Sequence, residues 1–161
     1  MKNTAIILIS TILSIHYMAV AQDTEIQPYE VIKKIDSIEI RFYPSATLVQ
    51  TSGVNNFGKL FRYISGSNES EQKIAMTAPV YMNQDKSEMA FVMPIDVHQK
   101  GAPKPMGENV SLHVTKPRYV AAIRYGGYTN TSKEATHTKR LMKTLEDYSI
   151  KANGAIEYLG Y

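Results

Sequence analysis

Two segments of this chain superimpose on each other, and their repetition limits the folds open to it more than any other feature. Pro44 to Gly53, PSATLVQTSG, lies over Pro117 to Gly126, PRYVAAIRYG, at one offset of 73 positions. Each reads as a Pro-initiated apolar strand that ends at glycine. A second strand precedes each, Ser37 to Phe42 and Asn109 to Thr115, with apolar residues alternating at Ile38, Ile40 and Phe42 and at Val110, Leu112 and Val114. A helix follows each: one from about Asn56 to Ser65, the other opening on the capping-box pattern Thr131-x-x-Glu134 with Leu141, Met142 and Leu145 as its apolar stripe.

Beyond the helices, Lys73 to Met82 matches Ala155 to Tyr161, and the first half adds a strand from Glu88 to Pro94. Its partner in the second half would fall past Tyr161. The pattern predicts an α+β domain: a pseudo-twofold duplicated ββαββ unit forming a distorted antiparallel β-barrel with two helices, the last strand of the second repeat missing. The resulting unpaired edge is an association hazard. Lys100 to Gly107, KGAPKPMG, reads as an exposed loop between the halves.

The first 21 residues are set apart from this domain. Lys2 supplies a positive n-region, Ala5 to Ile15 an apolar stretch, and Ala19-Val20-Ala21 a cleavage signature. The apolar stretch is shorter than the roughly 20 residues that span a bilayer. The expectation is a signal peptide over 1–21 and an exported, periplasmic or secreted domain over 22–161, with no stable membrane span after cleavage. The chain has no cysteine. That excludes a disulfide framework, thiolate catalysis, iron–sulfur clusters and covalent c-type heme attachment. Without Lys2 the remaining 17 basic and 15 acidic residues leave a net charge of +2. A charge so small and evenly mixed points away from nucleic acid as a partner.

One run carries most of the remaining information: Phe57 to Val80, FGKLFRYISGSNESEQKIAMTAPV. Phe57, Leu60, Phe61 and Ile64 recur at the spacing of one helix side. A Gly-Ser-Asn stop then leads to a strand ending in MTAPV, where Pro79 cannot donate to a ladder and marks an edge or a bulge. The run resembles the signature of the SOUL heme-binding family, (F/V)xKLxxYIxGxN followed by KIxMTxPV. Lys59, Leu60, Tyr63, Ile64, Gly66, Asn68, Lys73, Ile74, Met76, Thr77, Pro79 and Val80 carry the match. It extends at lower density from about Tyr29 to Tyr161.

The resemblance implies non-covalent binding of heme or another porphyrin in a shallow apolar groove beside the first helix. Carried over, it points to Phe57 and Phe61 as ring contacts and to Arg62 as a propionate partner, its planar fork matching a carboxylate. The plainer reading makes both phenylalanines core and Arg62 a solvated cation. Axial iron ligands are not identified. His98, His113 and His137 show no metal-binding spacing, and Met76, Met82, Met89 and Met93 read as strand residues filling the core. Lys133, His137, Arg140 and Lys143 form a basic stripe on the second helix, either an anion site or a solvated face.

No catalytic motif is present: G-x-S-x-G, H-E-x-x-H and a cysteine nucleophile are all missing. The expected function is an exported tetrapyrrole carrier or buffer. Two alternatives stand beside it, an effector-type module for another small amphiphile and a tetrapyrrole-modifying enzyme.

Overall fold

A strand whose consecutive residues are all buried needs cover on both faces, and Thr47, Leu48 and Val49 meet that condition. The computed structural model describes residues 24–161, so the signal-peptide expectation for 1–21 lies outside the described residues. Strands β1 (Glu25–Ile26), β2 (Glu30–Ile35), β3 (Ile38–Tyr43) and β4 (Thr47–Ser52) lead into α1 (Asn56–Ile64). Next come β5 (Thr77–Ala78), β6 (Val80–Asn83), β7 (Glu88–Val92), α2 (Ile95–Lys100), β8 (Val110–Val114), β9 (Arg118–Ile123), α3 (Thr131–Asp147) and β10 (Glu157–Gly160). The central sheet has the order β10-β6-β7-β4-β8, and β2-β3-β9 form a second sheet. A parallel pair, β1 with β5, completes the pairing.

The fold is α+β with antiparallel sheets, and it departs from the sequence-based expectation in two ways. The strands do not close into a barrel among the described residues, because β9 and β10 each have a strand on one side only. A third helix, α2, occupies Ile95–Lys100, just ahead of the expected loop, where only two helices were expected in all. Pro79, lacking an amide hydrogen, divides the expected strand 73–82 into the short pieces β5 and β6.

Two ladders join strands far apart in the chain. β3 pairs with β9 and β4 with β8, and in both the paired numbers add to 161, as in Ile38 with Ile123 and Thr47 with Val114. On the central sheet, Val49 and Phe91 point toward α1 and join Leu60, Tyr63, Ile64, Ile74, Met93 and Val97 in the main core. Their neighbours Leu48, Ala90 and Val92 face the opposite way, with Ala46 and Tyr81. α3 covers the second sheet through Leu145, which packs with Ile35 and Ile38.

The other face of that second sheet is polar. Arg41 is buried there, its guanidinium donating to Glu39 Oε2 at 2.9 and 2.8 Å and to the Tyr43 hydroxyl at 3.3 Å. Its carbon lies 4.3 Å from the centre of the Tyr29 ring. Burial opposes the Arg41 charge, yet the hydrogen bonds with Tyr43 and Glu39 outweigh it and its pKa rises. The Glu39 carboxyl is correspondingly held below its ordinary value by the hydrogen bond from Arg41.

Candidate functional site

α1 is short, and its sides are unequal. Leu60, Tyr63 and Ile64 face the core with Asn56, and Leu60 is 0% exposed. Phe57 and Phe61 lie one step around, 50% and 51% exposed, with ring centres 6.1 Å apart and planes 12° from parallel. Phe57 also meets the Phe91 ring edge-on at 5.3 Å. Full burial of a phenylalanine stabilises by about 1.5–3 kcal/mol, so leaving both half in water forfeits roughly 2 kcal/mol between them. The pair is a flat apolar platform with its base anchored in the core. Val54, also exposed, precedes it.

Arg62 projects from a different side of the helix. It lines an open cavity of about 890 Å³ whose walls include Lys59, Tyr63, Glu71, Met106 and Glu108. The phenylalanines do not line this cavity. The structure thus brings Phe57 and Phe61 together and sets Arg62 about 100° away on the helix. Arg62 is exposed and forms no ion pair among the described residues. Lys59, in contrast, donates to the Ser52 carbonyl at 3.1 Å.

The letters after the helix build the cavity wall. Gly66 has φ +118°, a conformation costly for a residue with a Cβ, and turns the chain out of α1. Asn68 is 0% exposed; its amide nitrogen donates to the Tyr63 and Gln72 carbonyls at 3.0 and 2.8 Å. Its side-chain oxygen accepts from the amides of Ser70 and Gln72. The segment 102–107 then docks on this turn instead of hanging free. Tyr63 Oη donates to the Pro103 carbonyl at 2.8 Å, Glu69 N to Lys104 O at 3.0 Å, and Met106 N to Ser67 O at 3.3 Å. Burial pushes the Tyr63 phenol up to about 12. Met106 was missed as a lining residue because its loop position carries no periodic signal.

The histidines stand apart from the platform. His98, on α2, shares a 2.8 Å hydrogen bond with Thr47 Oγ1. His113 is on β8 opposite Leu48, on the sheet face turned away from α1. His137 stacks on Tyr125 at 4.2 Å and 4°. Met76 and Met89 pack partly buried against the main core, and Met93 is fully within it. Among the described residues no cluster of three His, Asp or Glu side chains could hold a metal.

The basic stripe of α3 is already partly engaged. Lys133 Nζ donates to the Gly126 and Tyr128 carbonyls at 2.6 and 3.3 Å, closing the Gly126-Gly127 turn. Lys143 holds both Asp147 oxygens at 2.8 Å. The helix is capped one residue earlier than expected: Asn130 Oδ1 accepts from Lys133 N at 2.9 Å. Glu134, freed from a capping box, binds Lys86 Nζ at 2.8 Å and Thr129 Oγ1 at 3.1 Å. A second, smaller cavity of about 380 Å³ lies on the sheet face away from α1, bordered by Leu48, Gln50, Tyr81, Asn83, Ser111 and Glu157.

Comparison with known proteins bears on which of these features matters. Residues 24–161 match the family model described as SOUL heme-binding protein. Among curated proteins, the chain is similar to heme-binding protein 1 of Mus musculus, with 27% identity over 109 residues. That match takes in 62% of this chain and 57% of the mouse protein, so the chain spans little more than half the length of this relative.

Proposed function

The chain belongs to the SOUL heme-binding protein family, and on that premise we propose that it binds heme or a related porphyrin without a covalent bond, as a carrier or buffer. The observation that carries the reading is the half-exposed, nearly parallel pair Phe57 and Phe61. A porphyrin is a flat apolar disc with two carboxylates at one edge. The two rings fit its face, and Arg62, one step around α1, fits a propionate through its planar fork. The chemistry of the bound group would be its own; the protein contributes an apolar surface, an anchoring cation and exclusion of water from one face.

The finer parts of the reading belong with it. We read the protein as exported through its first 21 residues, and as a binding protein with no reaction of its own. The two halves are read as copies of one ββαββ unit, supported by cross-half ladders that share one register sum.

Titration of hemin into the protein, followed by the Soret band and by quenching of tyrosine emission, tests the function. Saturable binding is expected, weakened about tenfold or more in the Phe57→Ala/Phe61→Ala double variant and less in Arg62→Ala; the double variant should also lose about 2 kcal/mol of stability, from the half of each ring that is buried, while the exposed Arg62→Ala unfolds like the parent, so affinities are compared well below the transition. An unsaturable titration would overturn the reading. Equal affinity in the double variant would move the site off α1.

A further inference from the structure

The sheet beneath α1 fixes which way its phenylalanines lean. α1 rests on β4 and β7, and the central sheet continues to β8 on one side and to β6 and β10 on the other. Lys59 and Arg62 share their cavity with Asn109 and Val110, at the start of β8, so that flank of the helix faces β8. At about 100° per residue, Phe57 and Phe61 fall on the flank opposite Lys59, over β6. The edge-on contact of Phe57 with Phe91 agrees, since Phe91 is the β7 residue paired with Val80 of β6.

Register then gives the floor under that flank. Directly paired residues share a sheet face. Val80 pairs with Phe91 and Met82 with Met89, and β10 adds Gly160 opposite Val80 and Tyr158 opposite Met82. Phe91, Met89 and Val80 pack into the main core beneath α1, so Met82 and Tyr158 lie on the same face. Gly160 confirms the direction of Met82: a Cβ there would stand 3.8 Å from the Met82 methyl and 4.0 Å from the Val80 Cβ. The methionines of this face have unequal employment. Met76, Met89 and Met93 belong to the main core, whereas Met82 is half-buried and packs in none of the three cores among the described residues.

Resting on the porphyrin reading above, we propose that the Met82 thioether is the iron ligand of a heme seated between the Phe57–Phe61 pair and the face of β6 that looks toward α1. A thioether is a soft donor that heme iron accepts, and three rotatable side-chain bonds let the sulfur turn up from the sheet. The histidines offer no rival on this face: His98 is bonded to Thr47, His113 is on the other side of the sheet and His137 is stacked on Tyr125.

The test titrates the whole protein with electrochemically reduced heme and, separately, with metal-free protoporphyrin. The chain has no cysteine, so a protein sulfur found beside the iron by X-ray absorption can come only from methionine. One sulfur neighbour is expected in the parent and in Met89→Leu and none in Met82→Leu, whose affinity for reduced heme should fall about tenfold. Leucine keeps the volume and apolar contact of methionine, so protoporphyrin should bind the parent and Met82→Leu alike. Saturable heme binding with no sulfur neighbour in the parent, or with one that survives in Met82→Leu, overturns the ligation and leaves porphyrin binding standing. Equal losses of heme and protoporphyrin affinity in Met82→Leu also overturn it, reducing Met82 to an apolar contact. An unsaturable titration with both compounds overturns the ligation and the porphyrin reading together.

Discussion

The two long helices occupy matching places in chain order and have opposite fates. α1 has 9 residues and seals the main core with Leu60, Tyr63 and Ile64, while α3 has 17 and buries only Glu134, Thr144 and Leu145. The difference follows from what lies beneath. α1 rests on the centre of a five-stranded sheet, against β4 and β7, whereas α3 rests on β9, the edge of a three-stranded one. Anchorage depends on the strands beneath the apolar stripe, not on helix length. A firmly seated helix can also keep two phenylalanines half in water, which makes α1 the better platform for a ligand.

The sharpest test of this contrast is a matched pair of core truncations. Leu60→Ala should cost toward the upper end of about 2–5 kcal/mol and Leu145→Ala toward the lower end, by urea denaturation. Both leucines are nearly inaccessible, at 0% and 3% exposure, so their own burial cannot explain a difference. Equal losses would mean that the two helices are seated alike.

A smaller contrast is expected at the polar fastenings. Asn68→Ala strands the carbonyls of Tyr63 and Gln72 in a buried turn and should cost about 1–3 kcal/mol. Asn130→Ala removes an exposed cap from α3 and should cost about 1 kcal/mol. Amide exchange in 63–72 and in 131–134 would show whether each loss stays local.

Smallest of all is a dependence on acid. The hydrogen bond from Lys86 holds the Glu134 carboxyl below its ordinary 4.5, tying the β6–β7 turn to α3. A depressed carboxylate stabilises above its unfolded pKa and loses that contribution as pH falls through the folded one. Stability should therefore decline below about pH 4.5, and Glu134→Gln should flatten that part of the profile as read by thermal unfolding. An unchanged slope in the variant would assign the acid sensitivity to other pairs, Glu39 with Arg41 first among them.

Much of this was legible before any coordinates. Alternation placed β3 and β8, the repeated Pro-initiated apolar segments placed β4 and β9, apolar stripes placed α1 and α3, and the SOUL signature identified the family. Structural reasons now attach to several signature letters: Lys59 holds the Ser52 carbonyl, Tyr63 the Pro103 carbonyl, and Asn68 the turn after Gly66. The same residue types could have served a ligand, and only their partners decide. The placement of Arg62 away from the phenylalanines was readable in principle, since adjacent helix positions diverge by about 100°. What covers Lys59 and frees Arg62 was not.

The order of elements, the internal offset and the apolar stripes are properties of the chain, because each depends on neighbours a few residues apart. The pairing of β9 with β3 and of β4 with β8, the wall built by residues 102–107 and the half-exposed platform of Phe57 and Phe61 are properties of the assembled sheets. Whether an apolar side chain ends in core or in water depends on which distant strand arrives above it, and that geometry forms only when the sheets assemble.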